Sequence, residues 1–92
     1  MQDVAVRPMG PHEWAVVVTE GHETTSHRVT VSERLLDDLG IVDLDEGRLV
    51  RESVHFVLER EPASSILAEF DLDDISGFFP EYVAEIRTRL AA

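Results

Sequence analysis

The chain has 92 residues and contains no cysteine, no lysine and no asparagine. Without cysteine there are no disulfides, thiol nucleophiles or thiolate metal sites. Without lysine there is no Schiff-base chemistry, no P-loop lysine and no lysine general base. Cations are scarce too: eight bases, all arginine, face 19 acids, for a formal net charge of −11. An arginine-rich, lysine-free composition points to a GC-rich bacterial genome. A field this negative repels phosphate backbones, so nucleic acid is an unfavoured partner, and it favours a basic one.

Long apolar runs are also missing. The longest β-type stretch, Trp14 to Val18, falls far short of the ~20 residues needed to span a bilayer. The start, Met1-Gln2-Asp3-Val4, has neither the basic residues nor the apolar segment of a signal peptide, so the expected location is the cytoplasm, with no membrane partner. A chain this short has little core to spare, and homodimerisation is one way to bury more.

What is present reads as a single α+β domain over 1–92, with a β part over 1–32 and a helical part over 33–92. Val4-Ala5-Val6 predicts a short strand that Pro8 and Gly10-Pro11 break. Trp14 to Thr19 is rich in β-branched residues and apolar on both sides, which predicts a central strand covered on both faces. After a turn at Glu20 to Glu23, the segment Thr25 to Val31 alternates, with His27, Val29 and Val31 on one face. The expected arrangement is an antiparallel three-stranded meander followed by three to four short helices packed on one face.

From Ser32 the apolar period becomes helical. Ser32 is the expected N-cap of a helix carrying Leu35, Leu36 and Leu39, and Gly40 its stop. Asp43 or Asp45 caps a second helix running to about Arg60, with Leu49, Val50, Ser53, Val54, Phe56, Val57 and Leu58 on its inner face. Pro62 ends it. Ser64 or Ser65 is expected to start a short helix carrying Ile66, Leu67 and Phe70, and Asp71 to cap further turns through Phe79. Pro80 opens a last helix with Tyr82, Val83, Ile86 and Leu90 inward.

Candidate sites are few. His12, His22 and His27, with Glu13 and Glu23, are of ligand type for zinc, but their spacing follows no metal motif, and exposed polar residues on a hairpin are the simpler expectation. The acids Asp37, Asp38, Asp43, Asp45 and Glu46, and the set Asp71, Asp73 and Asp74, do not follow the calcium-loop order, since the glycine falls one place early or late. Helix capping explains these acids without an ion. No serine sits in a Gly-x-Ser-x-Gly frame. No cofactor and no catalytic residue are therefore expected. A helix-turn-helix around Gly40 would place three acids at the groove and is set aside. Phe78, Phe79 and Tyr82 around Pro80 form a candidate partner patch, weighed against a role in closing the core.

Two resemblances attach to these segments. Phe56 to Pro62, Ser65-Ile66-Leu67, Phe70-Asp71-Leu72 and Phe79 to Tyr82, together with the Thr25–Val31 strand, resemble a family of small prokaryotic proteins of unknown function, which implies a compact stand-alone domain and no particular activity. Arg28 to Ser32, Glu33 to Leu39 and Glu46 to Arg60 resemble, in their order, ribbon-helix-helix regulators and antitoxins. That resemblance implies a dimer with Arg28, Thr30 and Ser32 directed at the DNA major groove. The two extra strands before the ribbon and the acidic charge depart from the pattern.

Two functional expectations follow. The first is a non-enzymatic interaction, accessory or regulatory module whose acidic surface meets a basic protein partner. The second is a dimeric ribbon-helix-helix DNA-binding regulator. The acids concentrate in segments 33–46 and 59–85, with six and eight respectively, while 1–32 carries four acids and two arginines.

Overall fold

A computed structural model describes residues 2–91 of the chain. Strands β1 (Gln2–Gly10), β2 (Glu13–Glu20) and β3 (Glu23–Thr30) form the antiparallel meander. Helices α1 (Glu33–Leu39) and α2 (Glu46–Leu58) follow. A 3₁₀ turn at Ala63–Ser65 then leads into strand β4 (Glu69–Asp71). A second 3₁₀ turn at Leu72–Asp74 runs into α3 (Ile75–Phe78), and α4 (Tyr82–Ala91) completes the described chain. The sheet order is β1-β2-β3-β4, with β4 parallel to β3. The fold is α+β, as the sequence predicts.

The helices cover one face of the sheet. Val4, Val16, Val18 and Val29 point into it and are buried beside Leu35, Leu49, Val50, Phe56, Leu72 and Ile86. The opposite face is open. Val17 on it is 38% exposed and Ala5 is exposed, so the expectation that β2 is covered on both sides is not met. Small apolar side chains there need no cover, because isolated apolar groups are common on protein surfaces.

β1 is longer than expected. It passes through Pro8 to Gly10, with a register shift between them. The hairpin geometry explains why Pro8 is tolerated. Glu20 and Glu23 close a two-residue turn and so exchange hydrogen bonds, and bonding alternates along β2 from there. β2 therefore bonds β1 through Asp3, Ala5 and Arg7, and Pro8 faces the open edge, where its missing N–H breaks no ladder bond.

The helix ends follow the sequence closely. Ser32 Oγ accepts from Leu35 N at 3.2 Å. Gly40 takes the left-handed conformation, at φ 60°, and returns its N–H to Leu36 O at 3.1 Å. Asp45 rather than Asp43 caps α2, accepting from Arg48 N at 3.1 Å. All seven residues placed on the inner face of α2 are buried.

The segment after Pro62 departs from expectation. Ile66, Leu67 and Phe70 do not ride on a helix; they lie on extended chain leading into and through β4. The part expected to be wholly helical thus returns a strand to the sheet. Arg28 N donates to Ala68 O at 2.7 Å, and His27 Nδ1 donates to Leu67 O at 2.7 Å, so β3 offers this segment a ready edge. No helix among the described residues is long and apolar enough to cross a membrane.

Candidate interaction groove

The segment that refuses to become a helix builds one wall of an apolar groove. Val57 and Glu61 at the end of α2 form one side, and Ile66, Leu67 and Phe70 before and within β4 form a second. Ile75, Phe78 and Phe79 on and after α3 form the third. The cavity measures about 350 Å³, within the range of small-ligand or side-chain pockets.

Local chemistry sets its shape. Asp71 accepts from Asp73 N at 2.8 Å, and Asp74 accepts from Asp71 N at 3.1 Å. This reciprocal cap turns the chain sharply out of β4. α3 then lasts only four residues, too short to bury both aromatics at its end. Phe79 turns inward, edge-on to Phe56 with ring centroids 5.8 Å apart. Phe78 stays outside at 75% exposure, and Leu67 across the groove is 62% exposed. Both line the same concave site, which sets them apart from scattered surface leucines.

Of the three aromatics in the candidate patch, only Phe78 is open to a partner. Phe79 is half-buried in the groove wall, and Tyr82 is fully buried with its hydroxyl 2.6 Å from Ser53 Oγ. Burial raises the Tyr82 phenol above its usual range.

Behind Phe79, the one of its members that lines the groove, lies a buried aromatic cluster. Phe56 meets Tyr82 at 5.3 Å as well as Phe79, and the Arg60 guanidinium lies 3.6 Å from its ring centroid. Arg60 also donates to Phe56 O at 2.9 Å. Arg89 binds Glu59 at 2.7 Å and Glu85 at 3.2 Å, clamping α4 to the end of α2. The Arg89 hydrogen bond holds the Glu59 carboxyl below its ordinary range. Two carboxylates line the groove, Glu61 and Asp74, and Glu69 lies on the opposite face of the sheet beside Arg28.

The other sequence candidates do not come together. His12, in the β1–β2 turn with φ 57°, donates from Nδ1 to Glu46 at 2.9 Å. His22 is exposed in the β2–β3 turn. His27 is not an exposed hairpin residue. It is 7% exposed on the inner face, with Nε2 2.8 Å from Thr25 Oγ1 in addition to its bond to Leu67 O. A carbonyl can only accept, so Nδ1 carries the proton. Among the described residues no three His, Asp or Glu side chains converge as metal ligands. Asp45, Asp71 and Asp74 serve as caps, as expected of the acid clusters.

Arg28, Thr30 and Ser32 are also dispersed. Arg28 is exposed and lies 3.6 Å from Glu69, Thr30 Oγ1 donates to Asp71 at 2.8 Å, and Ser32 caps α1. β2 pairs with one edge of β3, and β4 with the other over Arg28–Thr30. That stretch has no edge left to pair across a two-fold, so the paired ribbon of the ribbon-helix-helix arrangement is not formed.

Sequence reasoning missed two features. One is the groove wall at Ile66–Leu67, whose short apolar run reads equally as helix or strand. The other is the Glu46 carboxylate, which accepts from Trp14 Nε1 at 2.9 Å and from His12, tying the start of α2 to the first hairpin. No spacing in the sequence announces either. No protein-family model matches this chain, and neither a curated protein nor a solved structure does.

Proposed function

We propose that the chain is a non-enzymatic interaction module that seats an apolar side chain of a basic protein segment in the groove between α2, β4 and α3. The observation that carries this reading is the pairing of an apolar lip, Phe78 and Leu67, with carboxylates at Glu61 and Asp74. Apolar surface exposed at a concave site gains from burial, at roughly 25 cal/mol per Å². The surrounding acids select arginine or lysine on either side of the anchor and speed its approach. An amphipathic helix with a basic polar face has this chemistry. The cysteine-free composition fits a cytoplasmic setting for such an adaptor.

The test is a nuclear magnetic resonance titration of the full chain with an amphipathic leucine–lysine peptide and with its leucine–glutamate counterpart. The basic peptide is expected to shift Ile66, Leu67, Ile75 and Phe78, and the acidic one to leave them in place. Equal response to both peptides, or shifts confined to other surfaces, would count against the groove.

A further inference from the structure

The open edge of β1 carries a charge pattern complementary to itself. Asp3, Ala5 and Arg7 lie on the uncovered face of the sheet, and Val4 and Val6 on the helix-covered face. The bonding alternation that turns Pro8 outward also leaves the backbone N–H and C=O of Val4 and Val6 pointing away from β2. β1 is the outermost strand, so these groups have no strand partner among the described residues.

We infer that β1 is a homodimer interface, in which two copies pair antiparallel about a two-fold axis at Ala5 and join their sheets edge to edge. In this register Val4 and Val6 of one copy exchange backbone hydrogen bonds with Val6 and Val4 of the other. Ala5 meets Ala5, small enough for the close approach of a non-bonded pair. Asp3 stands opposite Arg7 of the second copy, twice over, also in non-bonded positions where side chains come nearest. Among the described residues neither Asp3 nor Arg7 makes an ion pair within the chain.

Charges and proline on an edge strand commonly serve to keep other strands away. Charges of one sign would do so here. Opposite signs placed symmetrically about Ala5 do the reverse for one partner only, a second copy in this register. A shift of two residues sets Asp3 against Ala5 and leaves Arg7 unmatched. Pro8, without an N–H, stops the ladder from extending past Gln2. The contact is isologous and closes on itself, so a dimer forms rather than a fibre. The groove lies beside β4, at the opposite edge of the sheet, so this inference stands independently of the proposed function.

Sedimentation equilibrium of the full chain tests it, with Asp3→Arg, Arg7→Asp and the double swap D3R/R7D. Circular dichroism checks that each variant is folded, which is expected because both side chains are exposed. The wild type is expected to dimerise. Each single reversal turns two attractions into two repulsions and is expected to weaken the dimer by about tenfold or more. The double swap should restore it. Hydrogen exchange at the Val4 and Val6 amides should slow in the dimer and recover in D3R. A chain that stays monomeric at submillimolar concentration overturns the inference, as does a dimer indifferent to both single reversals. So does a monomer whose β1 edge takes up only an extended segment of a different protein.

Discussion

The hydroxyls of Ser53 and Tyr82 lie 2.6 Å apart at the centre of the core, each on a side chain with no solvent exposure. They join the middle of α2 to the start of α4 by one hydrogen bond that water cannot replace. Removing either partner leaves the other buried and unpaired. Ser53→Ala and Tyr82→Phe are each expected to cost about 1–3 kcal/mol in urea denaturation. The double variant S53A/Y82F should cost markedly less than the sum, because two apolar surfaces of similar shape then meet.

The same pair gives the fold an alkaline limit. Burial raises the Tyr82 phenol above its ordinary value of about 10. The native state therefore holds its proton where the unfolded chain releases it. The stabilisation is complete below about pH 10 and is lost as pH rises above it. Stability measured between pH 9 and 11.5 should fall for the wild type and fall less steeply for Tyr82→Phe.

At the acid end the responsible pair is Glu59 and Arg89. The Arg89 hydrogen bond lowers the folded-state pKa of Glu59, so its contribution is present above the ordinary carboxyl value and disappears as pH drops through the lowered one. The carboxylate is half exposed, and solvent limits the effect to at most about 1 kcal/mol. Glu59→Gln should be less stable than wild type at pH 7, and the two should converge below pH 4.

Gly47 is a packing requirement rather than a hinge. A Cβ there would lie 3.1 Å from Trp14 Cη2 and 3.2 Å from Cζ3. The indole cannot yield easily, because Nε1 is bonded to Glu46 in the adjacent position. Gly47→Ala should therefore destabilise by about 1 kcal/mol despite the better helix propensity of alanine. In a Trp14→Phe background, with the larger ring gone, the same substitution should become neutral or favourable. Thermal melts of the wild type, the two single variants and the double variant check this.

The groove separates stability from binding. Phe78, at 75% exposure, contributes little to folding, so Phe78→Ser should change stability by less than about 0.5 kcal/mol while abolishing the response to the basic peptide. Ile75, one turn earlier and buried, should cost about 2–4 kcal/mol as Ile75→Ala. Denaturation and peptide titration on the same two samples distinguish the roles.

Much of the framework was legible because local rules agreed with one another. Ser32, Gly40, Asp45 and Asp71 mark helix ends through bonds made within four residues, and such bonds depend on little else. The inner face of α2 follows from the helical period, which places its seven buried residues together wherever the helix docks. The β-branched run at Trp14–Thr19 gave the central strand, though not which of its apolar faces would be covered, since Val16 and Val17 are chemically alike.

By itself, then, the sequence determined the α+β class, the meander, the caps and the acidity of the later segments, all matters of composition and short-range geometry. Only the tertiary structure decided the fate of Ile66 to Asp71, Phe78, Tyr82 and His27. An apolar run of four or five residues suits a helix or a strand equally. The open edge of β3 settled it, by offering backbone partners to Ala68 and a buried imidazole to Leu67. That one pairing put β4 in the sheet, closed β3 to a second copy over Arg28–Thr30, and left α3 too short to hide Phe78. The groove is thus a product of long-range pairing, and no local pattern in the chain encodes it.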